Sequence, residues 1–143
     1  MQLKNRILFI LAIVGIAIAS YVLQGTLRHT TVVCLTNGCE LVQKSPYSRL
    51  FGIPVSAYGL VGYSLLTMLS LLWSFHPDKR IYRAMLAIAA GGTGFVLWFS
   101  SVQALKIGGF CMWCMLSTVN MITIFLLLGS EFTRTMKKIT KNP

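Results

Sequence analysis

Four cysteines in two close pairs are the residues of this chain best suited to chemistry. Cys34 and Cys39 are separated by four residues, and Cys111 and Cys114 form a Cys-x-x-Cys. Pairs at such spacing are usually redox-active or bind metal, because both sulfurs can lie within bonding distance. At the start of a helix, the first turn also favours the thiolate that attacks disulfides. The pattern favours thiol–disulfide exchange between a mobile pair and an anchored pair.

Two other interpretations of the cysteines stay open. Two structural disulfides are possible in principle, although a ring as short as that between Cys34 and Cys39 would stabilise the fold little. A copper(I) site is the other interpretation, and its soft ligands would be Cys111, Cys114, Met112 and Met115. Methionines in an apolar helix usually serve packing. The alternative to an enzyme is therefore a membrane metal-binding protein, or a scaffold protein with structural cysteines. Of these interpretations we favour the enzyme, and we expect no bound metal.

The elements that carry these cysteines are apolar enough for a membrane. Of 143 residues, 55% are hydrophobic and only 11% are charged. Four apolar stretches, residues 7–23, 54–75, 81–105 and 108–129, contain no acidic residue, and about 20 residues suffice to span the hydrocarbon layer as a helix. We predict an all-α membrane protein, a single domain of four transmembrane helices. A redox loop, 24–53, follows the first span, and a basic tail, 130–143, ends the chain.

The basic residues predict the orientation of the bundle. The net charge of +10 arises from Lys and Arg at the ends of the apolar segments, which indicates topology control and not nucleic-acid binding. Nine lie at one end: Lys4, Arg6, Lys79, Arg80, Arg83, Arg134, Lys137, Lys138 and Lys141. Four lie at the other: Arg28, Lys44, Arg49 and Lys106. We therefore expect cytoplasmic termini and extracytoplasmic cysteines, on the oxidising side.

Two features of the spans bear on packing and processing. The first span also has the basic start and small residues (17–19) of a signal peptide, an alternative that leaves the later topology unchanged. Small residues four apart let helix backbones approach closely. Such pairs are Gly15 with Ala19, Ala87 with Gly91, and Ala90 with Gly94.

Several motifs occur together in a distinctive order. They are Cys34-x4-Cys39, Ser45-Pro46-Tyr47-Ser48, Gly52-Ile53-Pro54 before a helix, and Cys111-Met112-Trp113-Cys114. This arrangement resembles the vitamin K epoxide reductase family in its short bacterial form, from the first span to the fourth. The loop pair is more tightly spaced than in many relatives, and no thioredoxin-like domain follows. In the DsbB-like thiol oxidases, another four-helix type, the Cys-x-x-Cys comes first.

The resemblance implies a quinone-dependent thiol oxidoreductase of the bacterial inner membrane. It implies that a separate extracytoplasmic thioredoxin-fold protein is oxidised, that a quinone (ubiquinone or menaquinone) accepts the electrons, and that the activity supports disulfide bond formation. Cys34 would meet the partner, Cys39 would pass electrons to Cys111, and Cys114 would face the quinone. Ser45 matches the family's serine near that pocket, whereas the residues alone equally favour a helix cap before Pro46.

Aromatic side chains are candidates for the wall of a quinone pocket, or for anchors at the membrane interface. They are Phe110, Trp113, Tyr58, Trp98 and Phe99. Residues 45–51 are predicted to form an amphipathic surface helix, with Tyr47, Leu50 and Phe51 toward lipid. The resemblance implies that this helix covers the pocket.

Overall fold

Four long helices make up most of the computed structural model, which describes residues 2–28, 38–76 and 78–141. They are α1 (Gln2–Leu27), α3 (Val55–Phe75), α4 (Lys79–Val102) and α5 (Met112–Lys141), and a short helix α2 (Gly38–Lys44) lies between the first two. Two short strands, β1 (Arg49–Leu50) and β2 (Ile53–Pro54), pair antiparallel before α3. A π-helical turn (Gln103–Ile107) extends α4.

The predicted all-α, four-span architecture is confirmed. Four segments of the described chain are long and apolar enough to cross a membrane: Leu3–Leu27, Val55–Phe75, Lys79–Ile107 and Met112–Glu131. Large apolar side chains cover their outer faces and are more than half exposed, among them Ile10, Val61, Met68, Val119 and Leu126. Such a surface suits contact with lipid and not with water.

The four long helices pack in a ring in the order α1, α3, α4, α5, with α5 returning to α1. α1 packs tightly on α3 at Gly15, where any Cβ would overlap the ring of Tyr63. Gly91 and Gly94 have no neighbouring atom within 4 Å of a Cβ position, so the predicted close packing at these two residues is wrong. The tight α4–α5 contact instead occurs at Gly92, against the flexible side chain of Met121.

The start of α1 and the far part of α5 meet at the end of the bundle away from Cys111 and Cys114. There Lys4 forms an ion pair with Glu131, and the Tyr82 hydroxyl donates to the Leu128 carbonyl. The Ser70 hydroxyl donates to the Asn5 side-chain oxygen at 2.8 Å. This end, the termini end, is joined across all four long helices by polar contacts.

The surface helix lies earlier in the chain than predicted. The helical residues are Gly38–Lys44, whereas 45–51 contain a 3-10 turn (Pro46–Ser48) followed by β1. A helix does not continue here because Pro46 has no N–H, and because Phe51 and Gly52 both have positive φ, 54° and 78°. Positive φ at both central residues is the geometry of a two-residue hairpin turn, which pairs Leu50 with Ile53.

Candidate active site

The Cys-x-x-Cys lies where α5 begins. Cys111 immediately precedes the helix, and its carbonyl accepts the Met115 N–H at 3.0 Å. Cys114 follows in the first turn of α5, partly buried, whereas Cys111 is 1% exposed. The two side chains interact by a hydrogen bond. The helix start therefore holds both side chains together.

The environment of Cys111 favours its ionised form. A hydrogen bond from the Cys114 thiol is the largest influence, and the backbone N–H groups of Trp113 and Cys114 also contribute. Burial acts in the opposite direction because it disfavours charge. Together these effects lower the pKa of Cys111 to about 7, so a large part of this cysteine is thiolate at neutral pH.

A buried glutamine that the sequence interpretation missed supports the pair. Gln103, fully buried in the π-helical turn, accepts the Cys111 backbone N–H at its side-chain oxygen Oε1, at 3.1 Å. Gly108, at φ 72°, closes the turn by donating its N–H to the Gln103 carbonyl at 2.9 Å. The signal in the sequence was an uncharged polar residue within an apolar span, since polar groups at membrane depth usually have a function.

A cavity of about 340 Å³ lies inside the bundle beside the cysteine pair. Its wall includes Cys111, Trp113 and Cys114 from α5, Tyr58 from α3, and Phe95 and Phe99 from α4. The volume falls within the range of small-molecule pockets, and a planar ring suits aromatic walls. Most hydroxyl groups of the wall already donate within the protein: those of Thr26, Ser48, Tyr58 and Thr118 each bond a backbone carbonyl.

Three of the five predicted aromatic residues line the cavity, and two do not. Tyr58, Trp113 and Phe99 line the cavity, whereas Trp98 and Phe110, 47% and 48% exposed, are not among its lining residues. Aromatic neighbours hold the cavity residues in place: Tyr21 packs on Trp113 with ring centroids 4.9 Å apart, and Phe95 packs on Tyr58 at 6.2 Å. Sequence reasoning missed Tyr21 and Phe95, because their positions depend on how α1 and α4 are rotated.

Ser45 caps the 3-10 turn and does not line the cavity. Its side-chain oxygen accepts the Tyr47 N–H at 3.3 Å, which is the capping role weighed for it on sequence. Ser48, three residues later, does line the cavity, and its hydroxyl donates to the Ser45 carbonyl at 2.7 Å. Ser45 therefore holds a cavity residue in position through its backbone.

The loop pair is only partly within the described residues. Cys34 lies outside them, and of Cys39 only the backbone, in α2, is described. A Cβ at Gly38 would overlap the Phe110 carbonyl, so α2 passes directly over the segment before Cys111. Val42, one turn after residue 39, is buried in the same apolar cluster as Cys111. The fold thus brings the helix that contains Cys39 onto the Cys-x-x-Cys.

No group of three or more His, Cys, Asp and Glu side chains that would hold a metal occurs within residues 2–28, 38–76 and 78–141.

Comparison with protein families identifies the chain. The model of the vitamin K epoxide reductase family matches residues 6–128, which is most of the 143 residues. The chain therefore belongs to this family. It is an integral membrane protein and an oxidoreductase, of a family that is generally quinone-linked and works with thioredoxin-like partners.

Proposed function

We propose that this chain oxidises an extracytoplasmic thioredoxin-fold protein through its two cysteine pairs and passes the electrons to a membrane quinone, ubiquinone or menaquinone. The cysteine end would face the extracytoplasmic side of a bacterial inner membrane, as the excess of basic residues at the termini end favours. The observation that carries the proposal is the Cys111–Cys114 pair on the wall of a cavity large enough for a quinone ring.

The proposed relay consists of balanced exchanges. A thiolate of the reduced partner attacks the Cys34–Cys39 disulfide, and the partner leaves as a disulfide with the loop reduced. The Cys39 thiolate then attacks Cys111, which breaks the Cys111–Cys114 bond, and Cys34 resolves the mixed disulfide so that the loop pair is oxidised again. Two electrons and two protons have then moved to Cys111 and Cys114.

Cys111 and Cys114 return to a disulfide by giving those two electrons and two protons to the quinone, which leaves as hydroquinone. Cys114, Trp113 and Tyr58 would hold the ring, with Phe95 and Phe99 completing an apolar wall. Ser45 and Phe110 would support the quinone site indirectly, without contacting the ring. Ser45 positions Ser48, and the Phe110 backbone supports α2.

Placing α2 over the Cys-x-x-Cys supports the exchange between the pairs. A thiolate must reach the disulfide sulfur that it attacks, and the tight contact at Gly38 leaves no side chain between α2 and the Phe110 carbonyl. The lowered pKa of Cys111 supports it as well, because a sulfur that ionises near neutral pH is a good leaving group in exchange.

The test is quinone reduction in membranes supplied with a reduced thioredoxin-fold protein. We compare the native chain with Cys114→Ala and Cys34→Ala, and we expect quinone reduction to fall to the protein-free background in both variants. Met115→Ala is the matched control, because Met115 is 42% exposed, follows Cys114 directly and does not line the cavity.

The control also separates the relay from copper binding, in which Met115 would be a ligand. We expect Met115→Ala to retain native activity and purified protein to contain no stoichiometric copper. Native protein that reduces no quinone with any reduced thioredoxin-fold donor would overturn the proposal, as would activity that survives in Cys114→Ala.

A further inference from the structure

Gln103 is a fully buried amide of which only one half is used. Its Oε1 accepts the Cys111 N–H, but its Nε2 has no hydrogen-bond partner. Among the buried side-chain nitrogen and oxygen atoms that the structure describes, only Gln43 Nε2 shares this condition. A buried donor without an acceptor costs free energy, so a state in which the bond forms would explain its place here.

The surroundings of Gln103 point to a sulfur as the missing acceptor. Its side chain lies close enough to Cys114, the second cysteine of the pair, to influence that thiol. The π-helical turn fixes its backbone through the Gly108 N–H, and single π turns in α-helices often occur at functional sites. One side chain therefore extends from the end of α4 to the backbone of Cys111 and to the side chain of Cys114.

We propose that the Gln103 Nε2 group donates a hydrogen bond to the Cys114 sulfur when that sulfur is a thiolate. In the reduced pair, the Cys114 thiol donates to Cys111, so the Cys111 sulfur is the one that ionises first. When the Cys39 thiolate attacks Cys111, the Cys39–Cys111 bond forms, the Cys111–Cys114 bond breaks, and the electron pair leaves on Cys114. Gln103 then supplies the hydrogen bond that this anion needs in apolar surroundings.

Gln103 would in this way act on both steps that involve Cys114. It stabilises the leaving sulfur while the loop transfers its electrons, and it stabilises the negative charge that Cys114 carries when it reacts with the quinone. The position of these steps in the relay rests on the proposed function. The hydrogen bond itself does not, because it needs only a Cys114 thiolate.

The experiment isolates that thiolate. Cys34→Ala, Cys39→Ala and Cys111→Ala leave Cys114 as the only cysteine, and its alkylation rate by a small uncharged reagent is measured in the full-length protein over a range of pH. Adding Gln103→Met keeps the side-chain length and removes both hydrogen-bonding groups. We expect the Gln103→Met protein to be alkylated about tenfold more slowly at neutral pH. The reason is that a hydrogen bond to a charged group is stronger than a hydrogen bond to a neutral group, so its loss disfavours the thiolate.

The pH profile distinguishes this role from a packing role. The rates of the two proteins should converge at high pH, where Cys114 is ionised in both. If Gln103→Met slows alkylation by the same factor at every pH, the substitution has altered the access of the reagent to Cys114, and the proposal is overturned. Equal alkylation rates of the two proteins at every pH would also overturn it. Gln43→Met is the matched control: it removes the other unpartnered buried amide, which lines the cavity, and should leave the Cys114 rate unchanged.

A second measurement leaves Gln103 in place, in case the Met variant fails to fold. Isotope-labelled glutamine side chains are followed by NMR in the protein whose only cysteine is Cys114. The Gln103 amide signal should shift with Cys114 ionisation while that of Gln43 stays constant, and a Gln103 signal that does not follow this ionisation would overturn the proposal. Failure of quinone reduction by the native chain would count against the proposed relay alone.

Discussion

The two ends of the bundle contain different kinds of polar group. At the termini end, Lys4 pairs with Glu131 and Ser70 bonds Asn5, and the cavity there measures only about 30 Å³. At the cysteine end, the cavity is about 340 Å³, and the amides of Gln43 and Gln103 each have a donor without a partner. Among the described residues, the polar groups at the termini end are paired within the protein, whereas those two donors at the cysteine end are not.

This difference separates stability from function within one bundle. Filled contacts between helices lower the free energy of the folded state, whereas a cavity and unpartnered donors raise it. Proteins keep such costly features where a ligand or a reaction uses them. The helices therefore provide a well-packed support at the termini end for a site that is open at the cysteine end.

Gly15→Ala should cause the largest loss of stability, because it disturbs a tight contact between α1 and α3 on the wall of the large cavity. The added methyl group overlaps the Tyr63 ring, and the hydroxyl of Tyr63 is held by the Ser117 carbonyl at 3.0 Å. Overpacking of this kind costs about 1–3 kcal/mol. The measurement is denaturant-induced unfolding in detergent. Gly129→Ala, with open space at its Cβ position, is the control and should not destabilise the protein. Equal stability of the two variants would contradict the packing described.

Gly91→Leu should have the opposite profile, a loss of function without a loss of stability. Gly91 lines the cavity with open space before it, so a leucine side chain would occupy the room that a quinone ring needs. We expect a rise of about tenfold in the KM for quinone, the equivalent of about 1.4 kcal/mol of binding. Gly94→Leu is the control on the same helix, since Gly94 is also open but does not line the cavity. The same KM in both variants would show that quinone does not enter this cavity.

Features that depend on a single segment were predictable from sequence, whereas features that depend on how helices pack were not. The spans were predictable because lipid imposes length and apolar character on each helix separately. The Cys-x-x-Cys was predictable because its geometry is local to one turn of α5. Tyr21 and Phe95 were not, since their places depend on the rotation of each helix about its own axis.

The segment between α1 and α3 shows where local reasoning was insufficient. Its apolar pattern predicted a helix over 45–51, and the structure has the helix at Gly38–Lys44. Pro46 and the positive φ angles of Phe51 and Gly52 prevent a helix over 45–51. Gln103 was missed for a different reason, because a single amide in an apolar span is meaningful only once its neighbours are known.

Lowering the pH should slow thiol exchange at Cys111 before it affects the fold. The hydrogen bond from Cys114 lowers the pKa of Cys111 to about 7, so its thiolate is present above that pH and is lost as pH falls through it. At pH 6 about a tenth of Cys111 would be thiolate. The measurement is thiolate absorbance against pH in protein that carries Cys34→Ala and Cys39→Ala. Adding Cys114→Ala removes the hydrogen bond and should move the Cys111 transition to higher pH; an unchanged transition would contradict this cause.

Glu131→Gln should produce the smallest effect, confined to stability. The Lys4–Glu131 ion pair is partly exposed, with 33% and 21% of the two side chains accessible, and such pairs contribute about 0.2–1 kcal/mol. A double-mutant cycle with Lys4→Met measures the pairing free energy apart from the individual substitutions. Because Glu131 lies at the far end of the bundle from the cysteine pair, quinone reduction should stay at the native rate. If Glu131→Gln instead raised the KM for quinone as Gly91→Leu does, the termini end would take part in catalysis, and the division between a supporting end and a reactive end would fail.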